Sequence, residues 1–157
     1  MNTLTSGDNA PLFTLNDHND EAIELAACLK QGRVLVYFYP KAMTPGCIIQ
    51  AEGLRDSEKE LAEHNVKVIG ISPDPVKKLA NFVTKKSLNF TLVSDEDHAV
   101  ADGFGVWGEK KFMGKIYDGI HRQSFLINQD GSVAHVFNKF KTKEHHTQVL
   151  DYLTENS

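Results

Sequence analysis

Short apolar runs alternate with longer amphipathic stretches along most of the chain. Continuous apolar residues predict buried strands at Arg33–Tyr39 and Val66–Ile71. Between them, apolar residues recur at helical spacing and predict one helix from Pro45 to about Glu63. This alternation of strands and helices favours an α/β architecture.

The rest of the pattern extends that architecture in both directions. A hairpin is predicted before the buried strands, and a tight Asp-Gly turn is predicted between the last two strands. The further predicted elements are strands Leu12–Leu15 and Ala22–Leu25, helices Ala26–Lys30, Pro75–Lys86, Glu96–Phe104 and Lys143–Thr154, and strands Phe90–Val93, Arg122–Asn128 and Val133–Phe137. Together they predict a central mixed β-sheet with helices on both faces and an N-terminal β-hairpin.

The 157 residues suffice for one domain with its own core, so we expect a single domain over residues 1–157. The chain carries 17 basic and 21 acidic side chains, a net charge of −4, and neither sign forms a long run. That balance argues against nucleic acid or an anionic membrane as the main partner. No run approaches the ~20 apolar residues that cross a bilayer, and two cysteines do not form a disulfide framework. We expect a cytoplasmic protein.

The most informative segment joins the strand Arg33–Tyr39 to the following helix. Thr44 occupies the expected N-cap position, and Pro45 suits the first helical position because its missing N–H would have no partner there. Cys47 then falls in the first turn, where unpaired backbone N–H groups and the helix dipole favour a thiolate. The segment predicts a nucleophilic cysteine; the alternative is a cysteine that packs as a small apolar residue.

The string Tyr37–Cys47 contains the spacing Pro-x-x-x-Thr-x-x-Cys and resembles the active-site segment of peroxiredoxins, in particular the bacterioferritin comigratory protein or Q-type branch. Two other stretches resemble the same branch: Leu88–His98, and Phe104–Glu109 through Tyr117–Arg122. The resemblance implies a thioredoxin-like fold and a thiol-dependent peroxidase for hydrogen peroxide and organic hydroperoxides. It also implies that Cys47 attacks a peroxide oxygen and becomes a sulfenic acid.

The resemblance assigns roles to three further residues. Thr44 matches the family threonine that contacts the thiolate and the peroxide; the alternative is a helix cap alone. Pro40 would shield the sulfur, or would only end the strand. Arg122, just before the apolar segment Ser124–Ile127, would stabilise the thiolate and the charge that develops on the leaving oxygen. Its alternative role is that of a surface arginine at a strand end.

The chain departs from many Q-type relatives at Glu52, where those relatives carry a resolving cysteine five residues after the first. The next predicted helix, Pro75–Lys86, contains no cysteine either. Cys28 is the other thiol of the chain, and we expect it to pack at a helix end rather than to resolve Cys47. The resemblance thus implies a one-cysteine cycle completed by an external thiol, either thioredoxin or glutathione with glutaredoxin. A resolving Cys28 and an engineered replacement at Glu52 stay open as alternatives.

Two classes of protein would use the same thiolate: a peroxidase that turns over, and a redox sensor that passes oxidation of Cys47 to a protein partner. We expect the enzyme, acting as a monomer without an organic cofactor. We also expect no metal, because the histidines show no metal-ligand spacing. Trp107, Phe112 and Tyr117, in a glycine-rich loop, either line the approach to the pocket or cover the core. Lys110-Lys111 are expected to be solvated.

Overall fold

The computed structural model describes residues 1–156. Its strands are β1 (Thr14–Asn16), β2 (Ala22–Glu24), β3 (Arg33–Phe38), β4 (Val66–Ser72), β5 (Thr91–Ser94), β6 (Trp107–Phe112), β7 (Lys115–Ile120), β8 (Gln123–Ile127) and β9 (Val133–Phe137). Its helices are α1 (Leu25–Leu29), α2 (Pro45–Asp56), α3 (Glu58–Glu63), α4 (Val76–Lys86), α5 (Ala99–Phe104) and α6 (His145–Glu155). Within residues 1–156, no helix has both the length and the hydropathy needed to cross a membrane.

The central sheet has five strands in the order β5-β4-β3-β8-β9. β3 pairs in parallel with β4, and β4 with β5, whereas β8 and β9 run antiparallel to their neighbours. β3 lies in the middle of this mixed sheet, and every residue from Val34 to Phe38 is buried. A strand that is covered on both faces needs apolar side chains throughout, which explains its continuous apolar run.

Two apolar cores lie on the two faces of the sheet. The first contains Cys47, Tyr37 and Leu126 and is covered by α2, α3, α4 and α6. The second contains Val36 and Phe104 and is covered by α1 and α5. Successive residues of β3 alternate between the two cores because side chains of a strand point to opposite faces in turn. The predicted mixed sheet, the helices on both faces and the N-terminal hairpin of β1 and β2 are all confirmed.

The single helix predicted from Pro45 to Glu63 is wrong, because the structure divides it into α2 and α3. Ser57 lies at the break, and its hydroxyl donates to the Gly53 carbonyl at 2.8 Å. Serine hydroxyls that bond a carbonyl of the preceding turn compete with the helical hydrogen bonds and bend helices. The interruption leaves α2 as a separate helix with Cys47 in its first turn.

The glycine-rich loop expected around Trp107 is also wrong, because β6 and β7 form a β-hairpin there. The two strands pair only with each other, as a two-stranded sheet apart from the central one. Phe112 and Tyr117 are 65% and 47% exposed, so these two aromatic side chains do not cover the core. Trp107, at the root of the hairpin, stacks on His98 with ring centroids 3.9 Å apart.

A buried histidine attaches α6 to the central sheet. His145 is fully buried, and its Nε2 lies 2.7 Å from the Ser124 hydroxyl on β8. Burial, followed by the nearby His146 and Arg122, lowers the pKa of His145 from 6.5 to about 3. The imidazole is therefore neutral in the folded protein at neutral pH.

We expect His145 to make the fold sensitive to acid. Its pKa is lower in the folded chain than in the unfolded chain, so the unfolded chain binds one more proton between pH 6.5 and about 3. The stabilisation is complete above pH 6.5 and declines as the pH falls towards about 3. In His145→Asn, the free energy of unfolding should fall less steeply with acidification, by up to ~1.4 kcal/mol per pH unit. Urea unfolding across this pH range measures the slopes, with His64→Asn as the control. Equal slopes in wild type and His145→Asn would contradict the expectation.

Candidate active site

The loop between β3 and α2, which carries Pro40 and Thr44, is fixed by a buried carboxylate. Asp74 Oδ2 accepts the backbone N–H of Ala42 at 2.7 Å and the hydroxyl of Ser72 at 2.8 Å. Ser72 is the last residue of β4, the strand next to β3. The loop is therefore tied to the neighbouring strand, which gives the start of α2 a defined position.

Thr44 lies at the N-cap of α2, and Pro45 is the first helical residue, as the sequence predicts. The Thr44 side chain does not cap the helix, because its hydroxyl donates to the Lys41 carbonyl at 2.9 Å. The predicted position is right, and the side-chain cap is wrong. Without a side-chain cap, the N–H groups of the first turn are available to an anion beside Cys47.

Cys47 and Arg122 come together although they lie 75 positions apart in sequence. Cys47 is 1% exposed, in the first turn of α2. Arg122 directly precedes β8, and the pairing of Phe38 with Gln123 places the start of β8 beside the end of β3. Arg122 Nη2 donates to Cys47 Sγ at 3.4 Å. The guanidinium therefore places a positive charge beside the sulfur.

A buried amide orients the guanidinium. Gln50, one turn after Cys47 on α2, is fully buried, and its Oε1 accepts Arg122 Nη1 at 2.6 Å. One nitrogen of the planar guanidinium thus faces the amide while the other faces the sulfur. Gln50 is absent from the residues predicted above. Its detectable signal was a polar side chain on the apolar helix face that also carries Ala51 and Leu54.

We expect Gln50→Leu to slow the reaction with peroxide because Arg122 loses the acceptor that orients it. A hydrogen bond to a charged group contributes ~1.5–3 kcal/mol, so the second-order rate with hydrogen peroxide should fall roughly 10- to 100-fold. Stopped-flow measurement of thiol oxidation gives this rate. Glu52→Gln, on the exposed side of the same helix, is the control. An unchanged rate in Gln50→Leu would show that Arg122 is held by other contacts.

Two stacked tyrosines belong to the same apolar core as Cys47. Tyr37 and Tyr39 are fully buried, with ring centroids 5.4 Å apart. Burial is the main cause that raises the pKa of both phenols above the ordinary value of 10.0, and the charge of Cys47 raises it further. Both phenols therefore stay neutral. They do not compete with Cys47 for the positive charge of Arg122.

A second cation, Lys110 on β6, lies near the site. Lys110 Nζ donates to the Ile120 carbonyl at 2.8 Å, two residues before Arg122. Burial and the charge of Arg122 lower the pKa of Lys110, whereas the charge of Cys47 raises it. Lys111, on the opposite face of β6, is exposed. The predicted solvation is therefore wrong for Lys110.

Cys28 lies far from Cys47. It belongs to α1, which precedes the N-terminal end of β3, whereas Cys47 follows the C-terminal end of the same strand. The length of β3 alone, from Arg33 to Phe38, is roughly 16 Å at ~3.3 Å per residue. The two thiols also belong to different cores on opposite faces of the sheet. Since a disulfide needs Cα atoms within ~7 Å, the folded chain cannot join them.

The chain is similar over its full length to known proteins. The AhpC/TSA family model matches residues 6–136. Peroxiredoxin Bcp of Escherichia coli K12 is 59% identical over 157 residues, which cover 100% of both chains. Among solved structures, peroxidoxin BcpB of Mycobacterium tuberculosis has a TM-score of 0.88 and 35% identity, covering 98% of this chain and 99% of that one. The bacterioferritin comigratory protein of Xanthomonas campestris, studied for its alkyl peroxide reduction activity, has a TM-score of 0.86 and 31% identity, covering 95% and 99%.

These similarities agree with the geometry described above. A cysteine in the first turn of a helix, beside a fixed guanidinium, lies in a chain whose family model spans most of its length. The agreement extends from sequence to fold, because the same branch appears among the full-length relatives and among the structural neighbours. The chain belongs to the AhpC/TSA family and is a peroxiredoxin, a thiol-dependent peroxidase.

Proposed function

We propose that Cys47 is the peroxidatic residue and that Thr44, Pro40 and Arg122 complete the catalytic site. The thiolate attacks one oxygen of a peroxide ROOH, the S–O bond forms and the O–O bond breaks. The leaving alkoxide takes a proton and departs as alcohol, or as water when the substrate is hydrogen peroxide. Cys47 is left as a sulfenic acid. The observation that carries this proposal is the 3.4 Å contact between Arg122 Nη2 and Cys47 Sγ.

The arrangement supports the reaction through charge. The nucleophile is an anion, and the leaving oxygen gains negative charge as the O–O bond breaks. Arg122 and the N–H groups at the start of α2 present positive charge from two directions, and Gln50 holds the guanidinium in place. Such donors need no reorganisation during the reaction, which is the main source of their catalytic effect. Thr44 still offers its hydroxyl oxygen as an acceptor for a bound hydroperoxide, because its own proton is directed to Lys41.

The sulfenic acid returns to the thiol through an external reductant. A thiol R′SH attacks the oxidised sulfur, water leaves, and a mixed disulfide forms; a second thiol then releases Cys47. Thioredoxin, or glutathione with glutaredoxin, is the donor we propose, because the chain has no second thiol within reach of Cys47. We further propose that the protein acts as a monomer in the cytoplasm and reduces both hydrogen peroxide and organic hydroperoxides.

Turnover separates the enzyme from a redox sensor. With a dithiol in excess, we expect the protein to consume many equivalents of hydrogen peroxide at a steady rate. Peroxide consumption, followed with a colorimetric assay and limiting protein, measures the number of cycles. A single burst of one equivalent, without continued turnover under thioredoxin or glutathione and glutaredoxin, would favour the sensor.

We expect the oxidised wild-type protein to contain no internal disulfide, and excess peroxide to convert Cys47 to the sulfinic acid. Installing a resolving thiol by Glu52→Cys tests the structural basis of this expectation. Five residues along a helix separate Cα atoms by ~8 Å, so the disulfide requires the first turns of α2 to unwind. The Glu52 side chain is 38% exposed and faces Arg55 at 3.8 Å, so the substitution removes one weak ion pair.

Non-reducing peptide mapping distinguishes the results. In Glu52→Cys, we expect a disulfide between Cys47 and the introduced thiol, together with protection against over-oxidation. We expect neither in wild type or in the control Glu52→Ala. A Cys47–Cys28 linkage in the wild type would overturn the one-cysteine cycle. Failure of Glu52→Cys to bridge would show that α2 does not open.

A further inference from the structure

The free end of the β6–β7 hairpin exposes apolar side chains on all sides. Phe112, Met113, Ile116 and Tyr117 are 65%, 86%, 64% and 47% exposed. Phe112 and Tyr117 share one face of the hairpin, because their partners across the strands are Lys115 and Lys110. Ile116 lies on the other face, and Met113 lies at the turn. The apolar end, defined here as residues 112–117, is therefore surrounded by solvent rather than laid against the protein.

Met113 occupies a position that local backbone physics disfavours. Met113 and Gly114 form a two-residue turn with φ of 50° and 78°, the pattern of a type I′ turn. Asparagine, aspartate or glycine is the usual residue where Met113 stands, because an unbranched apolar side chain gains nothing at positive φ. A strained methionine that is 86% exposed contributes neither turn stability nor core packing. Its side chain is suited to a contact outside the chain.

The charges around the apolar end have one sign. Residues 110–117 contain three lysines and no acidic residue, although the whole chain has a net charge of −4. Lys111 and Lys115 are exposed, one on each face of the hairpin. Glu109 and Asp118 pair with each other across the strands further from the turn. Along the hairpin, the exposed lysines thus lie within and next to the apolar end, and the carboxylates lie further from the turn.

We propose that the end of the β6–β7 hairpin inserts into the surface of an anionic lipid bilayer. The distance from Met113 back to Lys110 is about 10 Å at ~3.3 Å per residue, which matches the ~5–10 Å to which interfacial segments insert. The exposed Lys111 and Lys115, each two residues from Met113, extend their charged ends to anionic headgroups while their stems stay in the apolar layer. Glu109 and Asp118 limit deeper insertion by repulsion.

Other occupants fit the hairpin less well. Protein interfaces are depleted in lysine at their centre and cover one face, whereas this end is apolar on both faces and at the turn. A symmetric pair of copies joined through this end would bring two sets of three lysines together. A nucleic acid would use the lysines and the two rings, but would leave Met113 and Ile116 without a partner. A bilayer accommodates the lysines at its headgroups and the apolar side chains of both faces and of the turn in its interior.

The hairpin also places the site near the bilayer. Lys110, on β6, directs its ammonium to the Ile120 carbonyl at the root of the hairpin, two residues before Arg122, so the hairpin that carries the apolar end begins next to the Cys47 pocket. Organic hydroperoxides of low polarity concentrate in lipid. This link to substrate rests on the proposed function, whereas bilayer binding itself does not depend on catalysis.

Co-sedimentation with vesicles tests the proposal. The full chain, without peroxide, is mixed with vesicles of phosphatidylcholine alone or of phosphatidylcholine with phosphatidylglycerol. We expect binding to the anionic vesicles only, weakened by salt. Met113→Asn should reduce this binding about tenfold, because the transfer of one buried methionine is lost. Lys111→Glu should reduce it as well.

Met113→Asn is a sharp test because asparagine suits the type I′ turn better than methionine. The variant should unfold at the same or a higher temperature and turn over hydrogen peroxide normally, so lost binding reports a lost contact. Leu12→Asn is the matched control, since Leu12 is 62% exposed outside the hairpin. No binding of the wild type to anionic vesicles would overturn the proposal. So would an equal loss in Leu12→Asn, or a dimer of the free chain that Met113→Asn dissolves.

Discussion

Cys47→Ser should consume no peroxide above the uncatalysed rate. A serine hydroxyl is similar in size to the thiol, but it is not ionised near neutral pH and is far less nucleophilic. The fold should persist, because the small side chain stays in contact with Arg122 and leaves little empty volume. Peroxide consumption with excess dithiol measures the loss, and circular dichroism with thermal unfolding verifies the fold.

Cys28→Ser is the matched control for that substitution. Cys28 lies in α1, at the opposite end of β3 from Cys47 and against the other core. We therefore expect nearly wild-type turnover in Cys28→Ser. Comparable activity in wild type and Cys47→Ser, or loss of activity in Cys28→Ser with an intact fold, would contradict the assignment of the nucleophile.

Arg122→Ala should slow the oxidation of Cys47 by about 10²-fold or more, the usual effect of removing one preorganised electrostatic donor. The guanidinium lies 3.4 Å from the sulfur, so its removal takes a positive charge away from the reacting atoms. Stopped-flow oxidation of the thiol by hydrogen peroxide measures the second-order rate.

Two variants make the result on Arg122 specific. Arg122→Lys keeps a positive charge but cannot contact Gln50 and Cys47 through two nitrogens at once, so we expect partial activity. Arg33→Ala removes an arginine at the opposite end of β3 and should leave the rate unchanged. Equal rates in wild type and Arg122→Ala would place Arg122 outside the reaction.

Most of the fold could be predicted from the sequence because periodicity records burial. β3 is covered on both faces, and its apolar run marks it clearly; α2 carries its apolar residues at helical spacing. The break at Ser57 leaves no mark in the periodicity, because a side-chain hydroxyl ends the helix there. The β6–β7 hairpin shows no alternating pattern of apolar residues in residues 107–120, because the end of the hairpin is exposed rather than packed on the core.

The residues of the site also differ in how far the sequence predicts them. Thr44, Pro45 and Cys47 are local in sequence, so the rules of helix starts place them correctly. Only the family resemblance indicates Arg122, since no local rule brings a residue 75 positions away to the sulfur. Gln50 depends on tertiary structure, because its role appears only when β8 lies beside β3. The net charge of −4 for the whole chain does not reveal that residues 110–117 carry only positively charged side chains.

The most direct measurement of the Cys47 cycle is intact-protein mass spectrometry after one equivalent of hydrogen peroxide, followed by addition of a thiol. We expect one added oxygen atom, located on the peptide that contains Cys47, and its complete removal by the thiol. The same treatment of Cys47→Ser should leave the mass unchanged. Loss of two hydrogen atoms, which indicates an internal disulfide, or an unchanged mass of the wild type would contradict a one-cysteine peroxidase that reacts at Cys47.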